Sequence, residues 1–162
     1  MKTLKQRVGR RKNQTGLATV ELALVTPFML VMLLVSAEFT RVFYEFNTLT
    51  KSVRDAARWA AGEATNGAGV FDLSQVASEV RNIAVYGTVN NQGTPLLTGL
   101  TPGDITITQV DLGAAPAVRE HVQVSANYTF QPLAPVISGL GFLPNNIGMN
   151  FTLRASSTMR AL

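Results

Sequence analysis

An uninterrupted apolar run near the N-terminus is the feature that most limits what this chain can fold into. Residues 22–37 carry no charge, and the stretch from Leu17 to Ala37 is 21 residues long with Glu21 as its single charged group. About 20 residues of helix cross the core of a bilayer. Pro27 would break a helix in water but is tolerated in a membrane. The run therefore predicts a transmembrane helix, with representative positions Leu17, Leu22, Pro27, Leu34 and Ala37.

The charge of the chain is concentrated before this run. Six of the 14 Lys and Arg residues lie in the first 12 positions, and no acidic residue precedes Glu21. The positive-inside rule therefore predicts a single-pass protein with a cytoplasmic N-terminus. Beyond residue 16 the chain has eight basic and ten acidic residues. Because binding to nucleic acid needs a basic face on the folded part, the sequence predicts no nucleic-acid partner.

The apolar pattern continues past the membrane segment as a helical seam. Its members recur at alternating intervals of three and four residues, which is typical of one face of a helix. They are Phe39, Val42, Phe46, Leu49, Val53, Ala56 and Ala60. The intervening Glu38, Arg41 and Glu45 are predicted to face solvent. The helix is expected to run from about Leu17 to Ala61, and its seam packs either on the C-terminal domain or on a neighbouring subunit.

The rest of the sequence predicts a small α+β domain. Asp72 is predicted to cap a second helix that ends near Gly87. Alternating apolar and polar residues then predict three strands, at 105–110, 122–130 and 149–156. Their single apolar faces favour a mostly antiparallel sheet covered by the two helices. The predicted parts are a basic leader (1–16), a transmembrane helix with an amphipathic extension (17–62) and an extracytoplasmic α+β domain (63–162).

No residue pattern for catalysis or metal binding stands out. The chain has no cysteine and one histidine, His121, which cannot build a typical zinc site. The carboxylates form no spaced acid and base pair, and no phosphate-binding loop or nucleophile elbow is present. The sequence therefore predicts a protein that is not an enzyme and that uses no cofactor or metal.

Glu21 is the one residue that this description leaves unexplained. A carboxylate inside a bilayer costs about 2.5–3.5 kcal/mol, and less near the interface. Either the side chain extends to the headgroups beside Arg11 and Lys12, or it has a functional partner.

The residues around Glu21 resemble a known processing site. Gly16 followed by Leu-Ala-Thr-Val-Glu is similar to the site in type IV pilin-like proteins, where a prepilin peptidase cuts after the glycine on the cytoplasmic side. The resemblance implies that Leu17 becomes the new N-terminal residue. Glu21 then holds the fifth position of the mature chain, as the glutamate does in that family.

Within this superfamily the chain resembles the TadE-like minor pilins, or pseudopilins, of the tight-adherence (Flp) pilus. The similarity covers the segment from Gly16 to Pro27, the aromatic extension from Phe39 to Phe46, and more diffusely the C-terminal strands. It implies a structural protein of the inner membrane, with its C-terminus in the periplasm, that primes, caps or supports an adhesive pilus. The implied partners are the membrane, a prepilin peptidase, other minor pilins, the major pilin and the pilus assembly platform. Glu21 would set subunit register by meeting the Leu17 amine of a neighbouring subunit.

Two alternatives follow from the same residues. Val35-Ser36-Ala37 has the small residues that signal peptidase I prefers, so cleavage before Glu38 would release a soluble domain. Without any cleavage the chain would be a membrane-anchored accessory protein.

Overall fold

The computed structural model describes residues 15–63, 73–74, 76–110, 121–132 and 151–161. The predicted leader up to residue 14 and the predicted cap at Asp72 lie outside these residues. The chain divides into two compact units, Met1–Ala37 and Glu38–Leu162. Its elements are two helices, a 3-10 turn and three strands: α1 (Thr15–Glu63), α2 (Ala77–Tyr86), the turn Pro102–Asp104, β1 (Ile105–Val110), β2 (His121–Thr129) and β3 (Thr152–Arg160). The predicted α+β class is confirmed.

The first unit contains the N-terminal part of α1. Pro27 lies inside the helix, where it lacks the N–H that would bond the preceding turn. The Thr26 hydroxyl donates to the Leu22 carbonyl oxygen at 2.6 Å, and the Ser36 hydroxyl donates to the Met32 carbonyl oxygen at 2.8 Å. These two hydroxyls thus bond to their own helix, as an apolar environment requires.

The second unit contains an antiparallel sheet whose strands follow chain order, β1-β2-β3. Ile105 pairs with Ala126 at one end of the β1–β2 ladder, and His121 pairs with Arg160 at one end of the β2–β3 ladder. The first two strands lie where the alternation predicts them. The third was predicted at 149–156 and instead runs from Thr152 to Arg160, because nine residues of β2 need nine partners. Met149 and Asn150 lie outside the described residues.

The core of the second unit lies between the helices and the inner face of the sheet. Fully buried side chains come from every one of these layers. They include Leu49, Ala56, Ala57 and Ala60 on α1, Val80 and Ala84 on α2, and Val122, Val124 and the adjoining Phe130 on the sheet. The prediction that the two helices cover the apolar face of the sheet is therefore confirmed.

The C-terminal end of α2 lies where it was predicted, whereas its N-terminal end lies later in the chain than predicted. The helix ends at Gly87, whose φ of 73° places it in the left-handed region and whose N–H donates to the Ile83 carbonyl oxygen at 2.9 Å. Glycine adopts this conformation without a Cβ penalty. At the other end the helix begins at Ala77 with Val76 as its N-cap, later in the chain than a cap at Asp72 implies.

Candidate functional site

Gly16 lies in the first turn of α1, where the fold does not require a glycine. No described atom lies within 4 Å of the position that a Cβ would occupy, and Gly16 is not among the glycines with positive φ. A glycine in a helix costs about 1 kcal/mol relative to alanine. Neither packing nor backbone conformation in the described residues explains this glycine.

Glu21 follows one turn later and is exposed. Its nearest neighbours in sequence, Val20 and Leu22, are also exposed, at 67% and 63%. Among the described residues no hydrogen bond or ion pair contacts its carboxylate. The carboxylate is therefore free, within the described part of the chain, to meet a partner from another molecule.

The apolar positions after Glu21 are exposed along most of the first unit. Within the described part of the chain, α1 is the one helix long and apolar enough to cross a membrane, and none of its most apolar window is buried. Leu17, Leu22 and Pro27 are exposed, as is Ala37, whereas Leu34 is partly covered. This helix fits a membrane anchor. A signal sequence near the N-terminus passes the same test of length and composition, although its apolar core is usually only 7–15 residues long.

The seam of α1 divides into two parts. Leu49, Val53, Ala56 and Ala60 are buried in the core, and Val42 packs against that core. Phe39 and Phe46 are exposed, at 56% and 40%. The seam residues from Val42 onward, apart from Phe46, therefore pack in or against the core of the second unit. The two phenylalanines face outward.

Two carboxylates take the buried positions at the start of the seam. Glu38 and Glu45 are each only 7% exposed, so the prediction that they face solvent is wrong. Arg41 lies between them: its Nε is 2.9 Å from Glu45 Oε1, and its Nη1 is 3.7 Å from Glu38 Oε2. The guanidinium also lies over the Phe130 ring, 5.0 Å from the centroid. We call Glu38, Arg41 and Glu45 the buried charge cluster.

The sequence offered one signal for this cluster. Glu38, Val42, Glu45 and Leu49 recur at intervals of four, three and four residues. This stripe shares Val42 and Leu49 with the predicted seam and has a glutamate one position before each of its two phenylalanines. Helical periodicity is compatible with burial of either stripe. Hydrophobicity favours burial of the stripe that contains the phenylalanines. The partners that favour the carboxylates, Tyr128 and Phe130, are far away in sequence.

Tyr128 borders the buried charge cluster from β2. Its hydroxyl donates to the Thr98 carbonyl oxygen at 3.0 Å. Burial raises the pKa of Tyr128 to about 12, the negative charge of Glu45 contributes to the increase, and the positive charge of Arg41 opposes it. The phenol is therefore held neutral beside a buried carboxylate.

This pKa predicts a loss of stability at high pH. Since the folded pKa lies above the ordinary value of 10.0, the contribution is complete below pH 10 and is lost as the pH rises toward 12. The full effect is about 3 kcal/mol, since one pKa unit corresponds to about 1.4 kcal/mol. Ultraviolet titration of the tyrosines should show one phenol with a midpoint near 12 that is absent from Tyr128→Phe. Ionisation of all three tyrosines near pH 10 would contradict the assignment.

Within the described residues, no group of three His, Cys, Asp or Glu side chains could hold a metal ion. His121 pairs with Val110 and Arg160 across the sheet and is half-buried.

Within the described residues, a long N-terminal apolar helix, a second helix and a three-stranded antiparallel sheet form the α+β architecture that the sequence predicts. Residues 16–58 match the model of a family described as TadE-like protein. The match confirms the resemblance to TadE-like proteins of the Tad (Flp) pilus system, a pilus-associated family that is structural and not enzymatic. Comparison with curated proteins and comparison with solved structures gave no match.

Proposed function

We propose that this protein is a minor pilin, or pseudopilin, that acts in priming, capping or supporting a Flp-type adhesive pilus. The observation that carries the proposal is the start of the TadE-like match at Gly16, directly before the proposed cut. In this proposal residues 1–16 are the leader, 17–62 form the membrane helix with its extension, and 63–162 form the extracytoplasmic domain. A prepilin peptidase cleaves between Gly16 and Leu17, in the inner membrane.

Cleavage supplies a partner for Glu21, which has none among the described residues of its own chain. It creates a positive amine at Leu17, four residues before the carboxylate. An unpaired carboxylate in an apolar surround is penalised, and a paired one much less so. Docking the amine of one subunit on Glu21 of the next therefore favours assembly and sets register. The partners in this step are the major pilin, other minor pilins and the assembly platform.

One observation favours a second candidate, a soluble domain released by signal peptidase I after Ala37. The second compact unit begins at Glu38 and contains the entire described core, so it loses no core residue by such a cut. An uncleaved accessory protein is the third possibility. The three candidates differ in their N-terminal residue.

N-terminal sequencing of the mature protein tests the proposal. We expect Leu17 as the first residue, and we expect Gly16→Leu to abolish cleavage. Gly62→Leu is the matched control, because Gly62 lies in the same helix and also has open space where a side chain would extend. A start at Glu38 would support the released domain, and a start at Met1 would support the uncleaved protein; either result overturns processing at Gly16.

A further inference from the structure

The sheet of the second unit has one face that the core does not cover. Successive side chains of a strand point to opposite faces of its sheet, and the core takes Val122, Val124 and Ala126 of β2. The opposite face carries the even-numbered residues of β1, the odd-numbered residues of β2 and the even-numbered residues of β3. We call these residues the polar sheet face. None of them is buried, and those of β3 are all exposed.

Short polar side chains dominate the polar sheet face. Nine of its 13 residues are Ser, Thr, Asn or Gln, and none is Asp, Glu or Lys. Its two arginines, Arg154 and Arg160, both lie on β3. A surface that only contacts water usually mixes charges of both signs. This face instead combines hydrogen-bonding groups with cations alone.

The carboxylates of the described residues lie away from the two arginines in the fold. Apart from Asp104, all of them belong to α1 or α2. Asp104 directly precedes β1, and its Oδ2 accepts hydrogen bonds from the Thr101 N–H at 2.8 Å and the Thr101 hydroxyl at 2.7 Å. Because β1 and β3 are the two edges of the sheet, β2 separates Asp104 from the arginines. The β3 side of the polar sheet face is therefore positive.

Strand pairing aligns the polar side chains in rows between the two arginines. Arg154 pairs with Asn127 at one end, and Arg160 pairs with His121 at the other. Neighbouring strands are about 4.8 Å apart, so side chains in one row lie close together. Two rows cross the sheet between the arginines: Thr106, Ser125 and Ser156 in one, and Thr108, Gln123 and Thr158 in the next.

The chemistry of these rows indicates what they can bind. Hydroxyl and amide side chains both donate and accept hydrogen bonds, so they suit a ligand that also does both, as the hydroxyls of a sugar do. The carboxylates of an acidic polypeptide and the phosphates of a nucleic acid only accept. The face also has no Phe, Tyr or Trp, which proteins use to stack the bases of single strands. The arginines add a preference for negatively charged groups.

The spacing of the arginines indicates a polymer. Arg154 and Arg160 are six residues apart on one strand, which is about 20 Å at about 3.3 Å per residue. A single sugar ring does not reach both of them. The threonines between and beside them are stiff at χ1, so little side-chain entropy is lost when a ligand orders them.

We propose that the polar sheet face binds an acidic polysaccharide. The polymer lies along β3, with acidic groups at Arg154 and Arg160 and with its hydroxyls on the rows between them. This binding goes beyond the proposed role in pilus assembly. It also does not depend on the membrane helix, because every residue involved lies in the second unit.

Surface plasmon resonance with the full chain in detergent tests this binding. Polygalacturonate and alginate, two acidic polysaccharides of different geometry, are immobilised, with dextran as the neutral polysaccharide. We expect binding to at least one acidic polymer and none to dextran. Arg154→Gln and Arg160→Gln should each raise the Kd about fivefold, as loss of an exposed charge pair does. Ser156→Glu, which places an anion between the arginines, should raise it about tenfold or more.

Arg81→Gln is the matched control, because Arg81 is exposed on α2 and its loss should leave the Kd unchanged. An equal loss of affinity in this variant would overturn the assignment to the sheet, as would equal binding to dextran or binding to neither acidic polymer. Poly-glutamate and a single-stranded oligonucleotide serve as soluble competitors. If either displaces the protein as well as the soluble acidic polysaccharide does, the surface binds polyanions in general, and the assignment of a sugar ligand is overturned.

Discussion

Replacing Arg41 with alanine is expected to lower the free energy of unfolding by about 3 kcal/mol. The change leaves Glu38 and Glu45, each 7% exposed, without the cation between them. Removing one partner of a buried ion pair costs about 3–5 kcal/mol, and the lower end applies because the Arg41 side chain is 25% exposed. The contact of its guanidinium with the Phe130 ring, 5.0 Å away, is lost as well.

Arg58 offers a matched control for this measurement on the same helix. Its Nη2 lies 2.8 Å from Asp55 Oδ1, and the two residues are three positions apart, as Arg41 and Glu38 are. The side chains of Arg58 and Asp55 are both exposed. Exposed pairs contribute about 0–1 kcal/mol. Denaturant unfolding of the full chain in detergent, followed by Trp59 fluorescence, should separate Arg41→Ala clearly from Arg58→Ala. Equal losses would mean that Arg41 compensates no buried charge, and recovery on adding Glu45→Gln would trace the loss to the uncompensated carboxylate.

Replacing Glu21 with glutamine is expected to reduce the number of assembled pili by about tenfold or more. A tenfold change corresponds to a loss of about 1.4 kcal/mol in the free energy of subunit association. The amide keeps the size of the side chain but cannot pair as an anion with the Leu17 amine of a neighbour. Cleavage after Gly16 should continue, because the change lies beyond the cut.

Pili counted by electron microscopy, with an immunoblot for the processed chain, measure both effects. Glu63→Gln is the control: Glu63 is exposed at the end of the same helix, outside the proposed membrane segment, and its loss should leave pilus numbers unchanged. Normal pilus numbers in Glu21→Gln would remove the proposed role of this carboxylate in register.

The sequence predicted those elements that depend on local patterns. The apolar run and the seam predicted α1, and strict alternation predicted β1 at its observed position. The third strand was displaced because its limits follow from pairing with β2, which is a long-range constraint. In the same way, nothing near Glu38 and Glu45 in the chain reveals that Tyr128 and Phe130 lie opposite them.

The candidate site shows the same division. Gly16, Leu17 and Glu21 were identified from a local motif. Their roles in peptidase cleavage and subunit contact remain predictions, because both depend on other molecules. The outward position of Phe39 and Phe46, which are 56% and 40% exposed, was not foreseen because both residues fit the apolar seam. Choosing between the two stripes needs the three-dimensional packing of α1 on the sheet, where the guanidinium of Arg41 makes burial of two carboxylates possible.

The order of the strands in the sheet bears on how the second unit forms. Each strand pairs with the strand before it in the chain, so no strand waits for a distant segment to arrive. Strands that are neighbours in the chain close shorter loops than strands from distant segments, which lowers the loop-closure cost of forming the sheet. A chain delivered through a membrane from its N-terminal side could therefore add β1, β2 and β3 in turn onto an already formed α1 as each emerges.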